Sequence, residues 1–200
     1  MNYLAHALLA SESPEVMVGG LMGDFVKGRV PPDLPASIRH GIVMHRRIDT
    51  FTDTHELVLA SKRLVSPGRR RFAGIMVDVF FDHFLARHWQ RYSCNSLPQF
   101  TSGVYRILYR HWLVLPTRLR RILPFMAGED WLASYCDIQA IHASIDGISL
   151  RRLRRENSLY QGANELERRY SEFEQHFFEF FPQLVDFVQA QDNIDRSSTG

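Results

Sequence analysis

Apolar residues return at steps of three and four along almost the whole of this chain, and no run of β-branched residues is closed by a hairpin signal such as Asn-Gly. A chain patterned in this way buries stripes of helix surface, so the expected fold class is all-α, a single-domain helical bundle. Its 200 residues, 45% of them apolar, are enough for one core and exclude intrinsic disorder. Two cysteines, Cys94 and Cys136, permit at most one bridge, which excludes a disulfide-stapled miniprotein and points to a reducing compartment. No stretch of about 18 uninterrupted apolar residues occurs, and no cluster of positive charge precedes the first apolar segment. The expected location is the cytoplasm.

Punctuation along the chain sets the expected elements. Pro14 after Ser13 opens a helix to about residue 28, and Pro31, Pro32 and Pro35 mark a loop before a helix over 35–52. A helix over 54–65 is broken at Ser66-Pro67-Gly68, and a long one follows over 69–92. After a loop at 93–98, helices are expected near 98–113, 116–126, 129–145 and 147–156, then a last long one from Ala163 with a bend at Pro182. That last helix aligns Leu166, Tyr170, Phe173, Phe177, Phe181, Leu184 and Val188 in a stripe read as core. One domain is expected over 1–191, with 192–200 a polar, frayed tail.

Several ionisable residues fall on faces that should be apolar. At about 100° per residue, His45 and Asp49 sit together between Ile38, Ile42 and Ile48. Asp78 and Asp82 lie within the arc of Ile75, Val79, Ala86 and Trp89, with His83 at its border. Asp24 falls with Met17, Leu21 and Gly28, and His6 lies one turn from Asn2 and near Leu9. A buried carboxylate is costly unless paired, hydrogen-bonded or bound to metal, so positions on several helices call for a shared explanation. A metal centre of mixed oxygen and imidazole ligands is one, suited to Mn²⁺, Fe²⁺, Zn²⁺ or Mg²⁺. A buried network of these acids with Arg46, Arg47 or Arg87 is the other, and both remain open on the pattern alone.

Charge is distributed unevenly. The net charge is only +2, yet residues 61–125 hold 12 basic and 2 acidic residues. A segment of this kind attracts an anionic partner. Nucleophile-elbow, Walker, C-x-x-C and H-E-x-x-H patterns do not occur, which sets aside the chemistries they serve.

Four blocks in order, Asn2-Tyr-Leu-Ala-His6, Gly20-Leu-Met-Gly-Asp24-Phe-Val-Lys-Gly28, Met44-His-Arg-Arg-Ile-Asp49-Thr-Phe-Thr-Asp53 and Asp78-Val-Phe-Phe-Asp82-His-Phe-Leu-Ala-Arg-His-Trp89, resemble the bacterial acyl carrier protein phosphodiesterases. The resemblance extends to about residue 190. It implies a metal-dependent enzyme, usually with Mn²⁺ and with Mg²⁺ or Fe²⁺ as alternatives, that removes 4′-phosphopantetheine from a serine of a small acidic carrier protein. It also implies a divergent HD-domain-like fold, although the His-Asp doublet of that fold is here the reversed Asp82-His83. On this reading Asp24, His45, Asp78 and Asp82 are the expected metal ligands, with His6 a further one. His83 is the expected acid and Asp49 the residue that orients a ligand or water. Arg46 and Arg47 are expected on the phosphate, and Arg69, Arg70, Arg71, Arg118, Arg120 and Arg121 on the carrier, with the arginines of 151–155 next in line. The alternatives are an HD-like phosphohydrolase acting on a nucleotide and a non-catalytic Arg-rich module binding a polyanion.

Overall fold

The computed structural model describes residues 1–152 and 157–197. Among them are eleven α-helices and no strand, as the apolar period predicts: α1 (Tyr3–Leu9), α2 (Pro14–Met22), α3 (Ala36–Thr54), α4 (Glu56–Leu64), α5 (Ala73–Arg87), α6 (Leu97–Arg110), α7 (Thr117–Gly128), α8 (Trp131–Ser134), α9 (Ile138–Arg152), α10 (Asn164–Arg168) and α11 (Tyr170–Ser197). No helix among the described residues is long and apolar enough to cross a membrane.

Helix starts follow the local signals. Ser13 accepts the N–H of Val16 at 3.4 Å with Pro14 in the first turn, and Ser96 with Gln99 forms a capping box ahead of α6. Elsewhere tertiary contacts redraw the boundaries. The segment read as a helix to residue 28 stops at Met22, becomes a 3₁₀ turn at Gly23–Phe25, and leaves Gly28 at φ +71°. The helix read over 69–92 is a 3₁₀ turn at Pro67–Phe72 followed by α5 and a second short turn at Trp89–Arg91. Asp130, at φ 43°, caps the start of α8 at the N–H of Ala133, and the segment read over 129–145 breaks at residues 135–137, between α8 and α9. α9 then runs past Gly147 without the expected interruption, and α11 continues through Pro182 and through the polar end to Ser197.

The chain divides into two compact units: Met1 with 48–81 and the residues from 142 onward, and residues 2–47 with 82–141. Both α3 and α5 run unbroken through a boundary between them. In the first unit the aromatic stripe is core. Phe80 and Phe81 meet Phe173 and Phe177 edge to face, at 5.1 and 5.7 Å between centroids, and all four are fully buried. Each such side chain contributes about 1.5 to 3 kcal/mol on burial.

In the second unit α1 packs on α2, and α2 on α6, while α6 and α7 both meet α8. α2 and α3 approach backbone to backbone: a Cβ on Gly19 would strike the Ile38 carbonyl, and one on Gly41 would strike the Val16 carbonyl. This contact seats the end of α2 against His45.

Candidate metal centre

α1 carries His6, and its start is fixed from outside the helix. Asn2 occupies the cap position but makes no side-chain cap; its amide donates to the Tyr135 hydroxyl at 3.1 Å. The cap is supplied by Asp82 of α5, which is fully buried and accepts the N–H of Leu4 at 2.8 Å and of Ala5 at 3.3 Å. A carboxylate facing the first turn is matched to the donors and the positive end of the helix dipole. The inward position of Asp82 therefore has a partner that neither sequence explanation named, the backbone of α1.

On α3, His45 is buried and its ring stacks on that of His6, with centroids 4.0 Å apart and planes 27° from parallel. Gly23 leaves the room for this ring, since a Cβ there would collide with it. The turn that begins at Gly23 also brings Asp24 Oδ1 to 3.9 Å from His45 Nε2. Asp49 lies one turn further along the same helix. His6, His45 and Asp49 make up a group able to hold a metal ion, with ligand atoms within 4.8 Å for His6 with His45 and for His45 with Asp49. Two imidazoles and a carboxylate form a donor set suited to a divalent ion, so these residues fit the metal that the resemblance implies.

Asp78, an expected ligand, and His83, the expected acid, each have a partner of their own. Asp78 Oδ1 lies 3.1 Å from the α-amino nitrogen of Met1, which is also 3.8 Å from Asp49 Oδ1. Loss of hydration pushes the Asp78 carboxyl above the usual range, against the pull of the Met1 ammonium, even though 34% of its side-chain surface stays exposed. His83 is buried, and its Nδ1 lies 2.7 Å from the Tyr135 carbonyl. A carbonyl only accepts, so Nδ1 carries the proton and the neutral ring presents its lone pair at Nε2. His83 thus donates from Nε2 only as imidazolium. Tyr135 serves Asn2 through its hydroxyl and His83 through its backbone carbonyl, and the second role leaves no residue signature in the sequence.

The arginines divide by what they touch. Arg46 donates to the Val26 carbonyl at 2.9 Å, which ties α3 to the loop after Asp24. Arg87 is exposed and outside any buried network. Arg69 is engaged within the fold: its Nε lies 3.3 Å from the buried Glu165, and Nη1 donates to the carbonyls of Ser158 and Tyr160. Arg70, Arg71, Arg118 and Arg121 are exposed, while Arg120 is half-buried. Of the arginines in 151–155, Arg154 and Arg155 lie outside the described residues.

Known proteins match the chain over nearly its whole length. The family model described as acyl carrier protein phosphodiesterase matches residues 1–184. A protein of that name from Serratia proteamaculans is 37% identical over 193 residues, covering 96% of this chain and 98% of its own. One from Klebsiella pneumoniae subsp. pneumoniae is 36% identical over 190 residues, covering 94% and 98%. One from Photorhabdus laumondii is 33% identical over 193 residues, covering 96% and 97%. No solved structure matches the chain. With a family model over 184 of 200 residues and relatives spanning nearly their full lengths, the chain belongs to the acyl carrier protein phosphodiesterase family.

Proposed function

We propose that this chain hydrolyses the phosphodiester joining 4′-phosphopantetheine to a serine of acyl carrier protein, leaving the apo carrier, and that His6, His45 and Asp49 hold a divalent ion, Mn²⁺ first, for the purpose. The observation that carries the reading is the stacked His6–His45 pair with Asp49 on the next turn, inside a chain matched by that family over residues 1–184. When bound, such an ion neutralises charge on the phosphoryl oxygens and lowers the pKa of water.

The chain's own residues supply position and protons. Asp82 sets the first turn of α1 and so the place of His6, while Gly23 and Asp24 bracket the ring of His45. Water adds to phosphorus and releases a proton to solvent, the bond from phosphorus to the serine oxygen breaks, and that oxygen takes a proton. In this reading the proton comes from Nε2 of His83 as imidazolium, its Nδ1 being committed to the Tyr135 carbonyl. Arg46 and Arg47 follow His45 in sequence and bring positive charge to the diester, Arg46 being anchored at Val26. Asp78 supports the site from α5.

Incubation with holo carrier protein and Mn²⁺, read by the mass of the carrier, tests the assignment. Loss of the phosphopantetheine mass, abolished by chelation and restored by Mn²⁺, is expected. An unchanged carrier mass overturns the activity; turnover that persists after exhaustive chelation overturns the metal.

A further inference from the structure

Five arginines and no carboxylate occupy residues 97–128, the stretch containing α6 and α7. Their inward faces are ordinary core: Val104, Tyr105 and Leu108 on α6, and Leu119, Leu123 and Met126 on α7, are buried. The outward faces are not ordinary. Along α6 and the 3₁₀ turn Trp112–Val114, Arg106 is followed three and four residues on by Tyr109 and Arg110, and these by Leu113, and all four are exposed. Along α7 the exposed series is Arg118, Arg121 and Phe125.

Leu113 is 89% exposed and Phe125 64% exposed. Tyr109 stacks on Trp112 at 5.9 Å with planes 9° apart, which fixes an aromatic platform beside Leu113. Single exposed apolar residues are common on protein surfaces. An exposed Leu, a stacked Tyr–Trp pair and an exposed Phe among arginines, without one acid in the stretch itself, set apolar anchors among basic side chains. Such a composition marks interfaces, where aromatic and Arg side chains dominate binding.

We propose that this outward face of α6 and α7 is the docking surface for the carrier protein, gripping an acidic, partly apolar face of it through Leu113 and the Tyr109–Trp112 platform within a ring of arginines. The inference rests on the proposed activity and names the part of the enzyme that recognises its protein substrate. Charge complementarity requires an anionic occupant, and the apolar anchors require that occupant to present apolar side chains as well, which a nucleic-acid backbone does not. Location supports the choice. α6 packs on α2, and His111, just after α6, lies 4.0 Å from Glu15 in the first turn of α2. α2 then runs nine residues, about 13 Å, toward Gly23 and Asp24 beside His45. A carrier seated on α6 and α7 is one short helix away from the metal group.

The test measures kcat and KM for holo carrier protein with Leu113→Asp and, separately, with the pair Arg118→Glu and Arg121→Glu, alongside Arg63→Glu, an exposed arginine of α4. Circular dichroism checks helix content. The expected result is a KM raised about tenfold in each docking variant, with kcat at saturation and helix content unchanged. Arg63→Glu is expected to match the unaltered chain. A KM unchanged in both docking variants at low salt overturns the proposal while leaving the activity standing. Co-sedimentation of the unaltered chain with phosphatidylserine vesicles, lost in Leu113→Asp without a change in KM for the carrier, overturns it by assigning the face to lipid. An unaltered chain that leaves the carrier mass unchanged removes the proposed activity, and this inference with it.

Discussion

Asp82 and Leu4 are joined by a 2.8 Å hydrogen bond between a fully buried carboxylate and the second backbone N–H of α1. Seventy-eight residues of sequence separate them. Two residues beyond Leu4 stands His6, so the geometry of the metal group is set in part by an acid that belongs to another helix.

Asp82→Ala is therefore expected to act on stability and on metal affinity together. It leaves the N–H groups of Leu4 and Ala5 unsatisfied in a buried place, at a cost of about 2 kcal/mol or more. Urea unfolding and Mn²⁺ titration of the same variant check this. Asp49→Ala, at a side chain 39% exposed, is expected to weaken Mn²⁺ binding while leaving the urea midpoint almost unmoved. Equal unfolding behaviour of the two variants would contradict the capping role.

Gly23→Ala is expected to displace the His45 ring, because the added methyl has no other place to go. Activity and Mn²⁺ affinity should fall by at least about tenfold, while the helical circular dichroism survives, since a single local repacking costs about 1 to 3 kcal/mol. A variant with full activity would show that the stacking of His6 on His45 is dispensable.

Gly41→Ala and Gly19→Ala probe the crossing of α2 and α3. Each methyl meets a backbone carbonyl rather than the end of a flexible side chain, so the helices must part. Thermal unfolding should shift down by several degrees in either variant, the loss exceeding about 2 kcal/mol. The double variant should lose less than the sum, because the first substitution already opens the contact the second would strain.

Tyr105 gives a pH signature. Burial pushes its phenol well above 10, and its hydroxyl accepts the N–H of Leu132 at 3.0 Å. With the folded pKa above the unfolded one, the folded state binds the more protons between the two. The contribution is thus complete below about pH 10 and is lost as pH rises beyond it. Tyr105→Phe should cost about 1 kcal/mol at pH 8 and flatten the decline of stability above pH 10, as read from urea midpoints across that range.

The helical class was legible because a period of 3.6 needs no knowledge of tertiary contacts. The inward position of Asp82 and His45 was legible for the same reason, and both are buried. What the wheel could not supply was the partner. A buried carboxylate demands compensation, but whether from a metal, an arginine or the end of another helix depends on which element folds over it. The segment 69–92 illustrates the same limit. Arg69 bonds to Glu165 and to two carbonyls about 90 residues away, and the chain there follows a 3₁₀ turn that local periodicity had no means to announce. Likewise periodicity sets Asp49 beside His45 on α3, while its grouping with His6 depends on where α1 folds.

α1 has only seven residues, about half the length at which an isolated helix holds itself together in water. Its helicity is borrowed from the surfaces that cap and cover it, whereas His45 sits within a helix of nineteen residues. The two imidazoles therefore differ in how readily they leave. Local opening that releases residues 3–9 withdraws His6 and leaves its partner ring in place, so an ion bound by both must oppose that opening. Amide exchange at Ala5 to Leu8 would then slow as Mn²⁺ is added, making the protection of this one turn a direct gauge of occupancy.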